Sequence, residues 1–294
     1  MGAVLIYKEE RESIEIGSKI LAPVDRMKIA TLIVTSTGYK IGEFFISWII
    51  KYSLDKKLKE VYLTHFIEDE DDPLVYLITE YGFEYMGDNS RGEAIYLKII
   101  DEKEVSNSIT KLIDEKSPLE LAKIFYPEFY DGEKVNKYVV PIRSEFHEKL
   151  FLQNKEQKKL YEFGENLGQY PISANTIKKA YLSKSSINLE QGDILLFYES
   201  DKKGIGDIGI VENFHKNLNF EQIIKTIGKR SVYSSNELKE FSERTNAIIL
   251  FIYSKKVNKI SFNELMKNNV LNGPPQSIHS VSHDKYLKLK ELLI

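Results

Sequence analysis

Residues 28–52 limit what this chain can fold into more than any other stretch. Lys28–Val34 (KIATLIV) is an apolar run of strand length, and Ser36–Gly42 (STGYKIG) is a polar turn holding two glycines. From Ile41, apolar side chains recur at Phe44, Phe45, Trp48, Ile49 and Tyr52, the broad buried stripe of a helix. A strand, a tight turn and a helix start make an anion cradle, because helix-start amides point outward and the helix dipole adds partial positive charge. Lys40 adds a full charge. A plain strand-to-helix turn uses the same residues differently, with Gly38 for backbone freedom and Gly42 for close packing.

The rest of the first half alternates in the same way. Ala3–Tyr7 and Ser13–Ile16 read as short strands, and Glu60–Phe66 (EVYLTHF) alternates and is rich in β-formers. Asp72 followed by Pro73 is an N-cap and first-turn proline, so a helix starts there, and Gly82 stops it. Glu93–Ile100 (EAIYLKII) reads as another strand. Residues 101–132 read as helix and then loop, punctuated by Pro118, Pro127 and Gly132. Beyond them strands are expected at Lys137–Ile142, Asp193–Tyr198, Gly206–Glu212 and Ala247–Tyr253. Helices are expected around Glu145–Phe151, Thr176–Leu182, Phe220–Thr226 and Glu237–Glu243. The expected class is α+β in two domains: a mixed α/β sheet at 1–115, a linker at 116–135, and a small β-barrel with inserted helices at 136–294.

Charge divides along the same line. Residues 1–132 carry 16 Lys/Arg against 25 Asp/Glu, and residues 133–294 carry 25 against 19. An acidic half joined to a basic half points to different partners, with nucleic acid the partner expected of the second. The chain has no cysteine, which excludes disulfides, thiolate metal sites and cysteine nucleophiles. Its five histidines lack metal-ligand spacing, so no metal is expected. No apolar run approaches the roughly 18 residues of a membrane span. The N-terminus lacks the pattern of a signal peptide, so a cytoplasmic location is expected.

The order of elements in the first half resembles the core of the GNAT acetyltransferases. The loop STGYKIG is similar to that family's R/Q-x-x-G-x-G/A signature, with Thr37 at the Arg/Gln position, Lys40 at the first glycine and Gly42 at the second. Tyr81-Gly82-Phe83 resembles the GF that ends the family's later helix. The resemblance covers about residues 28–100 and implies an acetyl-CoA site. Backbone at Leu32, Ile33 and Val34 would line the pantetheine arm, and Gly38, Tyr39, Lys40, Ile41 and Gly42 would hold the pyrophosphate. The family's acid tyrosine position is Ile78 here, with Tyr81 one turn away as its substitute. His65 is the base candidate at the end of the next strand, ahead of Glu15 and Asp25. Only about 27 residues precede the Lys28 strand, where the family places a strand and two helices.

The second half, from about 136 to 254, resembles the EVE branch of the PUA-like superfamily through QGDILLFYES followed by GIGDIGIVENF. That resemblance implies a pocket for RNA, such as tRNA, or for a modified nucleobase. A bound base needs aromatic faces and polar edges. Tyr181, Phe197 and Tyr198 are candidates for the faces, and Asn175, Ser183, Ser185, Gln276 and Ser277 for the edges. Phe197 and Tyr198 alternate along one strand, so one is expected in the core and the other exposed. Lys178, Lys179, Lys184, Lys202, Lys203, Lys229 and Arg230 are candidates for phosphate contacts. Together the halves lead to an acetyl-CoA-dependent N-acetyltransferase acting on an RNA-linked amine, with room for a homodimer. The alternative is a non-catalytic RNA- or modified-base-binding protein with a degenerate GNAT-like scaffold.

Overall fold

The computed structural model describes residues 3–34, 40–67, 71–151, 176–201, 203–230, 232–244 and 246–293. Gly38, Tyr39, Asn175 and Lys202 lie outside the described residues. The chain divides into two units, Met1–Lys116 with Lys123–Phe129, and Ser117–Ala122 with Tyr130–Ile294. Both mix strands and helices.

Unit 1 runs β1 (Ala3–Glu10), β2 (Ile14–Ile16), β3 (Lys19–Leu21), β4 (Arg26–Val34), α1 (Ile41–Asp55), β5 (Glu60–His65), α2 (Pro73–Glu80), β6 (Glu84–Asp88), β7 (Ala94–Ile99) and α3 (Glu102–Leu112). Five strands form one sheet in the order β1-β4-β5-β7-β6, in which β4 and β5 are parallel and all other neighbours antiparallel. Helix α1 buries Ile46, Ile49 and Ile50 completely, and Trp48 clusters with Tyr7 and Tyr52, each ring touching the other two. The β2–β3 hairpin packs Ile14, Ile16 and Leu21 against Tyr62, Ile95 and Leu97. Arg26 is 1% exposed. Its guanidinium donates to the Glu60 carboxylate and to the carbonyls of Glu12 and Ala22, so the buried charge is paired and the hairpin tied to β5.

Asp72 caps α2 as expected, its Oδ1 accepting from the amides of Leu74 and Val75. The helix is followed by Gly82 at φ +78°, where an added Cβ would stand 2.0 Å from the Ile124 carbonyl oxygen. The buried Lys98 ammonium donates to that oxygen at 2.6 Å and to the Tyr81 carbonyl at 2.8 Å. This turn therefore needs glycine both for its backbone and for a close approach.

Unit 2 contains β8 (Lys137–Ile142), α5 (Ser144–Leu150), β9 (Lys178–Ser183), β10 (Ile194–Glu199), β11 (Gly204–Lys216), α6 (Phe220–Ile227), α7 (Ser235–Ser242), β12 (Ala247–Ser261), α8 (Phe262–Lys267), β13 (His279–Val281) and α9 (His283–Leu293). Before it in the chain, α4 (Pro118–Ile124) has its first five residues in unit 2 and its last two in unit 1. Six strands pair in the order β13-β8-β10-β11-β12-β9. Among the described residues no ladder joins the end strands β13 and β9, so the expected closed barrel is an open sheet here. Tyr181 on β9 donates its hydroxyl to the Pro141 carbonyl on β8 at 2.7 Å, spanning the gap between those strands.

Two further expectations change. Thr176–Leu182 holds strand β9 rather than a helix, because its backbone pairs with Ile248–Ile252 of the long β12; tertiary pairing overrides a weak local pattern. Phe197 and Tyr198 do point to opposite faces, yet both are buried, at 0% and 2% exposure. β10 is an interior strand covered on both sides. Phe197 packs against Phe151 and Phe251 on one face. On the other, Tyr198 meets the Phe262 ring of α8 edge-on at 6.4 Å.

Candidate functional site

In unit 1 the site-forming feature is a parting of strands. The ladder between β4 and β5 covers only Arg26–Ile29 against Glu60–Leu63, although β4 runs on to Val34. The break coincides with a bulge: Ile6 of β1 pairs with Thr31 and Tyr7 with Ile29, leaving Ala30 as the extra residue. A bulge bends its strand and raises the local twist, which turns β4 away from β5. Leu32, Ile33 and Val34 then pair only with β1 among the described residues, so their opposite edge lies along the opening. Ile33 is 51% exposed.

The cradle residues resolve differently. Lys40 is left-handed, at φ 56°, and gives α1 no side-chain cap. Its ammonium lies 3.7 Å from Glu43 on the next turn. Part of the positive charge expected for an anion is thus already matched by a carboxylate. Ile41 is buried, and Gly42 is a packing glycine, since a Cβ there would meet Leu77 Cδ2 of α2 at 2.8 Å.

The catalytic candidates are separated. Tyr81 is fully buried, with its ring against Tyr126 at 5.9 Å, and Ile78 is equally buried. His65 ends β5 and lines a cavity of about 470 Å³ with Thr64, Phe66, Asp71, Asp72 and Glu93. Its Nε2 lies 2.6 Å from Asp72 Oδ2. Tyr81 is not among the residues lining that cavity. Glu15 is exposed on β2, and Asp25 pairs loosely with Arg11 at 3.9 Å.

Unit 2 brings its candidates together far better. A cavity of about 830 Å³ is lined by Tyr181, Ser183, Lys184, Ser185, Tyr198, Gln276 and Ser277, all named from sequence. It opens where β9 and the Pro141 end of β8 face each other. Burial pushes the Tyr181 hydroxyl up to about 12 and raises that of Tyr198, so both stay neutral hydrogen-bonding groups. Because the Tyr181 proton goes to Pro141, its oxygen can otherwise only accept. Ser183 Oγ accepts from the Ser185 amide at 3.0 Å, which fixes the turn at the cavity edge. Lys184 and Gln276 are exposed at the rim, and Pro275 is buried, anchoring the segment that carries Gln276.

The remaining lysines stand elsewhere. Lys179 is 0% exposed, its ammonium 5.4 Å from the Tyr253 ring, so it belongs to the interior rather than to a phosphate path. Lys178 and Arg230 both pair with Glu212. Lys203 is exposed on the β10–β11 turn, apart from the cavity lining, and the Lys229 side chain lies outside the description.

Sequence reading missed Arg143, Phe146, Tyr233 and Arg244 of the same cavity. Tyr233 precedes the capping box of Ser234 and Glu237 that starts α7, a legible signal for a helix whose facing partner was not legible. Its hydroxyl accepts from the Leu182 amide, and Phe146 packs on its ring at 5.2 Å. The site therefore has an aromatic floor and a rim carrying Arg143, Lys184 and Arg244, with Glu237 and Glu240 between them.

No helix among the described residues is long and apolar enough to cross a membrane. No family model matches the chain, and no curated protein matches it. Among solved structures, ASCH from Zymomonas mobilis aligns over 54% of this chain and 96% of its own, at 13% identity and a TM-score of 0.41. Two of its single-residue variants align over the same share of this chain at 12% identity and the same TM-score.

Proposed function

We propose that this chain is an acetyl-CoA-dependent N-acetyltransferase whose second unit, PUA-like in kind, binds RNA or a modified nucleobase and so brings an RNA-linked amine to the first. The observation that carries the enzymatic part is the parting of β4 from β5 at Ala30. An extended arm bearing amides needs a strand edge whose own ladder is unfilled, and Leu32–Val34 offer one leading to the start of α1. Those residues fit the pantetheine arm of acetyl-CoA; the first-turn amides of α1 fit its pyrophosphate less well, with Lys40 already beside Glu43. When bound, acetyl-CoA supplies the activated acyl group. The protein's part is to align it and to exclude water.

For unit 2 the support is the cavity itself. An aromatic floor accepts a base by stacking, Tyr181, Ser183 and Gln276 offer hydrogen bonds to its edge, and cations at the rim meet phosphates. Base stacking contributes roughly 1–3 kcal/mol, so Phe146→Ala, at a half-buried ring of the cavity, is expected to weaken RNA binding about 10- to 100-fold. Arg143→Ala is expected to reduce the slope of log K against log salt by about 0.7. Filter binding across a salt series reads both. An RNA affinity indifferent to salt and to Phe146→Ala would overturn the cavity assignment.

A second reading, a binding protein without catalysis, is favoured by the apolar Ile78 at the acid position and by Tyr81 lying wholly in the core. Calorimetry with acetyl-CoA separates the two. Micromolar binding supports the enzyme, and absence of heat with RNA binding intact supports the binder.

A further inference from the structure

Asn272-Gly273 is the chain's single Asn-Gly pair, and it leads straight into Pro274–Ile278, one wall of the unit 2 cavity. Leu271 and Pro275 are buried on either side of it, while Asn272 is exposed and Gly273 half-buried. Gly273 has no left-handed φ, and a Cβ built on it would meet nothing within 4 Å. Neither backbone conformation nor packing therefore calls for glycine there. What glycine does supply is a main-chain nitrogen unshielded by a side chain, next to the Asn272 carboxamide.

The pair is also unheld. Among the described residues no hydrogen bond engages the Asn272 carboxamide or the Gly273 amide. The two Asn-Ser pairs, at Asn89 and Asn107, differ in this respect. Asn89 Nδ2 donates to Glu93 at 2.6 Å, and its Oδ1 accepts from the Arg91 and Glu93 amides. Asn107 lies inside α3, where the next amide is tied into the helix ladder. Either would have to break hydrogen bonds to bring its carboxamide carbon onto the following nitrogen. Asn272 would not.

We propose that Asn272 is a site of self-modification through a succinimide, and that its conversion to aspartate and isoaspartate weakens ligand capture in the unit 2 cavity. The second clause rests on the RNA-binding reading above. The Gly273 nitrogen loses its proton to solvent base and bonds to Asn272 Cγ. The Cγ–Nδ2 bond breaks, and Nδ2 leaves as ammonia after taking up a proton. Water then opens the ring: addition at Cγ gives aspartate, and addition at the main-chain carbonyl gives isoaspartate. Both products place a carboxylate where a neutral carboxamide stood, on the segment facing the rim cations Arg143, Lys184 and Arg244. Isoaspartate also lengthens the main chain by one atom between the Leu271 and Pro275 anchors, which shifts Pro274 and Gln276.

The test ages the full chain in mildly alkaline buffer and maps isoaspartate by enzymatic methylation and peptide mass spectrometry. Asn272 is expected to convert ahead of Asn89 and Asn107. Gly273→Ala, whose Cβ has open room, should keep the parent's fold by circular dichroism and lose most of the conversion. Earlier conversion at Asn89 or Asn107, or equal conversion in parent and Gly273→Ala, overturns the site. For the consequence, Asn272→Asp and the aged parent are compared with fresh parent by filter binding to RNA. An added exposed charge should lower affinity by about 2- to 5-fold, and unchanged affinity in both overturns the second clause. If fresh parent binds no RNA, the RNA-binding reading falls and that clause with it, while the mass map still decides the site.

Discussion

Replacing Gly82 by alanine is expected to unfold unit 1 far more readily than the same change at Gly92, although both glycines sit at φ +78°. Placing an L-residue in that region costs roughly 1–2 kcal/mol at either position. At Gly92 nothing lies within 4 Å of the new Cβ, so that is the whole cost. At Gly82 the Cβ stands 2.0 Å from the Ile124 oxygen and 2.8 Å from its carbonyl carbon. The carbonyl must recede, which draws it off the Lys98 ammonium it accepts from at 2.6 Å. Losing a hydrogen bond to a charged group costs a further 1.5–3 kcal/mol or so. The expected totals are about 3–5 kcal/mol for Gly82→Ala and about 1–2 for Gly92→Ala. Trp48, the chain's single tryptophan, clusters with Tyr7 and Tyr52 in unit 1 and reports its unfolding by fluorescence. With a urea slope of roughly 2 kcal/mol per molar, the midpoints should fall by about 2 M and about 0.7 M. Equal shifts for the two variants would refute the close-approach argument and leave backbone strain as the whole effect.

Asp207 is 1% exposed, accepts from the Tyr253 hydroxyl at 2.9 Å and lies 2.8 Å from His147 Nε2; Asp207→Ala strands both and should destabilise unit 2 by about 3–5 kcal/mol, read by circular dichroism in urea. Tyr253→Phe, which removes one donor only, should cost about 1 kcal/mol. Burial pushes Lys98 down to about 7, against about 10.4 for an unfolded lysine. Between those values the unfolded chain binds the extra proton, so native stability rises with pH, by up to about 1.4 kcal/mol per unit. The urea midpoint monitored at Trp48 should therefore climb from pH 7.5 to 9.5 relative to that of Lys98→Met, and parallel profiles would rule this out. Gly42→Ala should change stability by less than about 1 kcal/mol, since the gain in helix propensity offsets a contact that only the flexible end of Leu77 must yield.

What could be read from the sequence was local. Asp72-Pro73, the apolar stripe of α1 and the alternation of Glu60–Phe66 each sit within a few residues and encode their own geometry. Strand β9 was not legible, because its identity comes from β12, some seventy residues away. Lys179 reads as a surface cation in any window and is buried only because its strand lies against Tyr253. Gly42 fits a phosphate loop or a helix contact equally well until Leu77 is placed beside it. Arg143, Phe146 and Tyr233 escaped for the same reason: nothing short-range says that α5 and the start of α7 face one cavity.

The pairing of β13 with β8 joins His279 to Val139, residues 140 positions apart, through only three rungs. Closing so long a loop for so few contacts is entropically slow, so this rung set forms after the nearer hairpins. Residues 274–278 lead directly into β13 and form one wall of the unit 2 cavity. On a translating ribosome, strands β8 to β12 can emerge and pair while that wall is still unsynthesised. A chain cut before residue 274 would thus keep most of the strand pairings of its sheet while losing the Pro274–Ile278 wall of the cavity.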